Sequence, residues 1–133
     1  MKVLITSAQA KILLHRLSVS DAIADCLTDE GSPLENVAFE DVQNVGEALA
    51  VRCESIMERK GGKGALSFDL LNQRIANEVL RDAVDGSTWA YCMQDMVDGG
   101  EMTKQQASAQ RAIMRSLERK LQSAGMEDVK FPR

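Results

Sequence analysis

At 133 residues the chain is one domain, long enough to bury a core without metals or disulfides. Apolar residues make up 44% and aromatics 4%, so a core of Leu, Ile, Val, Ala and seven Met favours packed helices over a β-sandwich. The formal charge is −4, with nine Lys/Arg against sixteen Asp/Glu over residues 1–100; this acidic body argues against sequence-independent nucleic-acid binding, which rests on neutralising phosphates.

"MKVLIT" reads as a short strand or an extended arm, after which Ser7 is placed to cap a helix "AQAKILLHRL". A second short helix, "DAIADCLTDE", follows with Ser18 or Ser20 as its cap, and Gly31, Ser32 and Pro33 break the chain. In "FEDVQNVGEALAVRCESIMERK", Val42, Val45, Leu49, Cys53 and Ile56 recur at helical spacing and define one buried face, with Gly46 suggesting a close helix crossing. Gly61 to Gly64 reads as a flexible loop, and Ser67 as the cap of a helix whose stripe runs through Leu71, Ile75, Val79 and Ala83.

Gly86, Ser87 and Thr88 make a helix-to-helix corner, with Gly86 ending one helix and Ser87 or Thr88 opening "WAYCMQDMV". After "DGGEM", Thr103 and Gln106 form the T-x-x-Q of a capping box. The helix that follows presents Ile113 or Met114, Leu117, Leu121 and Ala124 on one face, and the tail segment "DVKF" is a candidate strand partner for "KVLI". The fold expected is mainly α: a compact single-domain bundle, residues 1–133, of about five or six helices with short extended arms at the two termini.

Cys26, Cys53 and Cys92 cannot all pair internally and form no CxxC, so they read as buried small hydrophobes of a reducing compartment. The N-terminus lacks the continuous apolar region of a signal peptide, and no apolar run reaches the ~20 residues that span a bilayer. A soluble, cytoplasmic protein is expected.

Several chemistries are weakened by the residues themselves. "LHRLSVSDAIADCL" resembles a helix-turn-helix phrase, but Ser18 replaces the turn glycine and the second helix carries Asp21, Asp25, Asp29 and Glu30 with no Lys or Arg. "RKGGKGALS" lacks the GK[ST] ending of a phosphate-binding loop, and "SAQAKI" after the first strand has no glycine for a dinucleotide turn. His15, the single histidine, is read as a half-buried helical residue with nothing placing it beside a nucleophile. No catalytic set, cofactor or metal site is assigned, although Asp82, Asp85, Asp95 and Asp98 could converge on a divalent cation if the corner folded them together.

Trp89 and Tyr91, two residues apart, cannot share a helix face. With Trp89 turned inward, Tyr91 faces the surface, and with Met93, Met96 and Asp95 it forms a candidate partner-binding patch.

The segment "ANEVLRDAVDGSTWAYCMQDMVDGGEMTKQQASAQRAIMRSLERKL" resembles small helical proteins of tailed-phage and prophage genomes that carry a "VL.D.V.GST" corner. The residues that match are Val79, Leu80, Asp82, Val84, Gly86, Ser87 and Thr88, with Leu117 and Leu121 closing the stretch. The resemblance implies a phage-like accessory gene product and brings no catalytic residues.

The expected function is therefore a non-enzymatic protein-binding accessory protein, an inhibitor or adaptor acting on a host or phage protein, with homo-oligomers among its possible forms. The alternative is a small-ligand binder for anions or nucleotides, with Arg59, Lys60, Lys63, Arg111 and Arg115 supplying contacts. Self-association would help it, since one subunit has little room for a pocket of ~300 Å3. Two further readings are a metal-dependent hydrolase on the four aspartates and acidic mimicry of nucleic acid.

Overall fold

In the N-terminal strand β1 (Lys2–Thr6), Val3 and Ile5 are buried while Leu4 between them is exposed, the alternation of a strand with one face on the core. The computed structural model describes residues 2–67, 70–85 and 87–123. Strand β1 pairs antiparallel with β2 (Lys63–Ser67), setting Val3 opposite Leu66 and Ile5 opposite Gly64. The extended reading of "KVLI" therefore holds, but its partner is "GALS" from the middle of the chain; "DVKF" lies outside the described residues. The expected loop at Gly61–Gly64 contracts to a turn at Gly61 and Gly62, both at positive φ, and Lys63 already belongs to the strand. Gly64 is required for space: a Cβ there would sit 2.5 Å from Cγ1 of the buried Ile56.

Six helices complete the described fold. Helix α1 (Ser7–Leu17) starts one residue earlier than expected, because Thr6, not Ser7, is its cap. Thr6 Oγ1 accepts from the Gln9 amide at 3.2 Å, and Gln9 Oε1 accepts from the Thr6 amide at 3.0 Å. Helix α2 (Ser20–Thr28) has Val19 at its cap with no side-chain bond, while Ser18 donates to the His15 carbonyl and closes α1 instead. Helix α3 (Phe39–Glu58) buries Val42, Val45, Gly46, Leu49, Cys53 and Ile56, the face its spacing predicts. It packs against α1, α2 and β2 and against α4 (Leu70–Asp85). Ser67, expected as a helix cap, is the last residue of strand β2, and α4 is described from Leu70. The stripe of α4 buries Ile75, Val79 and Ala83.

Helix α5 (Ser87–Asp98) turns Trp89 and Met93, one turn apart, to the interior. Helix α6 (Lys104–Ser123) opens on the capping box read from the sequence, with Thr103 Oγ1 and Gln106 Oε1 each accepting from the other's amide at 3.0 and 2.9 Å. Met114, Leu117 and Leu121 are its buried face, and Ile113 is exposed, which settles the choice between Ile113 and Met114. Helix α6 runs antiparallel to β1 and α1. Lys120 Nζ donates to the Leu4 carbonyl, Gln9 Nε2 to the Ile113 carbonyl and Ser116 Oγ, and Arg16 to Gln110 Oε1. One cluster of buried residues runs from Val3 to Leu121, each fully buried Leu or Ile contributing about 1.5–3 kcal/mol. No helix of the described residues is long and apolar enough to cross a membrane.

Candidate functional site

The buried residues of α1 are Gln9, Ala10, Leu13, Arg16 and Leu17, so a guanidinium occupies a place in the apolar stripe. Arg16 is 2% exposed and reaches the junction between α4 and α5. In an uninterrupted helix the carbonyls of Ala83 and Val84 would accept from amides four residues on. Here Arg16 Nη1 donates to both, the Val84 bond measuring 2.8 Å, and the positive charge lies at the negative end of the α4 dipole. Nε and Nη2 donate to Gln110 Oε1, and Nη2 also meets the Met93 sulfur at 3.3 Å. Every N–H of the guanidinium is thus used within the protein. Its carbon sits 5.5 Å from the Trp89 ring centroid, a cation–π arrangement. Arg16 thus ties the end of α4 to α5 and α6, and the expected corner glycine, Gly86, lies outside the described residues.

Over this junction opens a cleft of about 190 Å3 between α5 and α6, lined by Arg16, Trp89, Met93, Arg111, Arg115 and Glu118, with Val84 and Ala90 between them. Arg111 and Arg115 lie one turn apart on α6, both exposed, and make no hydrogen bond or ion pair among the described residues. Trp89 is buried, and its Nε1–H has no hydrogen-bond partner.

The expected anion site is thereby divided. Arg111 and Arg115 meet at this cleft, whereas Arg59, Lys60 and Lys63 lie by the turn whose Gly62 carbonyl accepts from Ser7, at the opposite end of α1. Ser7 and Arg16 are separated by nine residues of helix, about 13 Å along the axis. The five residues are thus not gathered in one cleft, since Arg59, Lys60 and Lys63 are not among its lining.

The partner patch also changes. Tyr91 is 75% exposed, and Asp95, one turn on, shares its face. Met93 is 3% exposed and points the other way, toward Arg16, so it is no part of that surface; Met96, five residues from Tyr91, is half-buried and lies toward the Trp89 side of the helix. The reason is helical phase: Met93 is one turn from Trp89, and whatever face takes the indole takes the thioether too.

Of the four aspartates, Asp82 is half-buried, Asp95 is exposed, and Asp98 accepts from Gln94 Nε2 at 2.9 Å; the Asp85 side chain is outside the described residues. Among the described residues no three His, Cys, Asp or Glu side chains are grouped to hold a metal. His15 is exposed, not half-buried, and of the cysteines only Cys53 is buried, with Cys26 exposed and Cys92 intermediate. Burial, with the nearby Glu54 charge, pushes the Cys53 thiol up to about 12.

Arg16 and Gln110 were not singled out by the sequence reading. The signal was present for Arg16: it is three residues from Leu13 and one from Leu17, within the buried arc, while His15, two from each, is on the opposite side. Nothing in the sequence marks Gln110. Compared with protein-family models, with curated proteins and with solved structures, the chain has no match.

Proposed function

We propose that the protein is a non-enzymatic binding protein of phage type, an inhibitor or adaptor that engages a host or phage protein in the cytoplasm through the outward face of α5. The observation that carries this reading is Tyr91, the most exposed of the large apolar side chains among the described residues, held on a helix whose other side is anchored by Trp89 and Met93. An aromatic ring on a rigid element loses little freedom on binding and brings a large contact area, which is why such residues form the centres of interfaces. Asp95 on the same face gives the patch an acidic border.

The test is site-specific photo-crosslinking in the native host. A photoreactive phenylalanine at position 91 should yield one discrete adduct, and the same group at the outward Val51, 60% exposed, should not. The adduct's mass separates a foreign partner from a second copy of the chain. Equal or absent labelling at the two positions would remove the reading.

A further inference from the structure

The cleft between α5 and α6 lies on the other side of α5 from Tyr91 and concentrates positive charge in an acidic molecule. Helix α6 carries Lys104, Arg111, Arg115, Arg119 and Lys120 against one acid, Glu118, and two of those arginines line the cleft beside the buried Arg16. The N–H donors of Arg16 are committed to α4, Gln110 and Met93, so it supplies a fixed charge and a rigid floor. Arg111 and Arg115 are the opposite case, with both guanidinium forks unengaged by described residues and open to solvent at the rim. The indole of Trp89 forms part of the wall and closes the apolar side of the cleft.

We propose that this cleft binds a compact oxyanion of the phosphoryl type, either free phosphate or the phosphate group of a small phosphomonoester, with Arg111 and Arg115 as its donors. Size and valence select that class. A volume of about 190 Å3 is below the roughly 300–1,000 Å3 of pockets that enclose whole small molecules, so the cleft takes a group and leaves the remainder outside. A carboxylate's oxygens are satisfied by one arginine fork, whereas a tetrahedral phosphoryl group presents oxygens to two forks at once. Glu118 shares the lining and opposes an anion, which holds the affinity down and gives the site a variant that should bind more tightly. The site is independent of the protein-binding reading, since neither Arg111 nor Arg115 is on the Tyr91 face.

The experiment uses the chain's own reporter, because Trp89 is the only tryptophan. Inorganic phosphate and glycerol phosphate are titrated at constant ionic strength, followed by Trp89 fluorescence and by calorimetry, with acetate and chloride as controls. Saturable binding is expected, weakened roughly tenfold by either Arg111→Gln or Arg115→Gln and abolished by the pair. Glu118→Gln should strengthen it several-fold. Tighter binding of the ester identifies a carried phosphate group, and equal binding identifies the free ion. Absence of both heat and fluorescence change up to about 10 mM ligand, an equal response to acetate, or a double variant that binds as well as the original chain would each overturn the proposal. Arg111 and Arg115 are exposed, so circular dichroism of the variants should match the parent.

Discussion

Arg16 Nη1 lies 2.8 Å from the Val84 carbonyl oxygen and donates to Ala83 as well, closing the C-terminal end of α4 from a helix nearly seventy residues away in sequence. Arg16→Ala leaves two helix-end carbonyls and Gln110 without these donors in a buried place, and should cost about 2–4 kcal/mol. Arg16→Lys keeps the charge but not the planar fork, and should recover less than half of that loss. Urea unfolding measures both. An Arg16→Ala protein within about 0.5 kcal/mol of the parent would show that the end of α4 holds without the arginine.

The molecule carries one capping box in two environments. Gln9 is buried and, besides serving Thr6, donates to the Ile113 carbonyl at 3.2 Å and to Ser116 Oγ at 2.7 Å, whereas Gln106 is exposed and among the described residues serves Thr103 alone. Gln9→Ala should therefore cost about 2–3 kcal/mol and Gln106→Ala about 0.5–1 kcal/mol. Equal losses in thermal or urea unfolding would mean that the contacts to α6 contribute nothing.

Gly64 and Ile56 are coupled by space. Gly64→Ala forces a methyl to within 2.5 Å of Ile56 Cγ1, and a packed core should lose about 1–3 kcal/mol. Ile56→Ala opens a cavity but removes the clash, so the double variant should be more stable than the two single losses added together. Strict additivity would contradict the contact.

The three thiols should differ in reactivity. Cys26 is exposed and should react first with an aromatic disulfide reagent near pH 8, Cys92 more slowly, and Cys53 only on unfolding. Because burial raises the Cys53 thiol from 9.0 to about 12, the unfolded chain ionises first as pH rises. The contribution of Cys53 is therefore complete below about pH 9 and is lost between there and about pH 12. Comparing the pH slope of stability with that of Cys53→Ala isolates the contribution of this thiol.

What the sequence alone determined is local. The face of α3 from Val42 to Ile56 follows from a 3.6-residue repeat within one helix, and the Thr103–Gln106 box from four neighbouring residues. Trp89 inward with Tyr91 outward follows from the same geometry, and it should have carried Met93 inward as well. The fate of Arg16 was half legible: phase placed it in the buried arc, but its acceptors come from α4, α5 and α6. Tertiary structure decided the pairing of "KVLI" with "GALS", the separation of Lys63 from Arg111, and the cleft at the α4–α5 junction, whereas the Thr6–Gln9 box was as local as its counterpart at Thr103. Those outcomes depend on which distant segments come together, and strand edges, helix ends and long cationic side chains accept any partner whose hydrogen bonds and charge complement them. Short-range steric rules therefore shaped each helix here, while the chemistry offered to a ligand arose only when α1 and α6 were laid side by side.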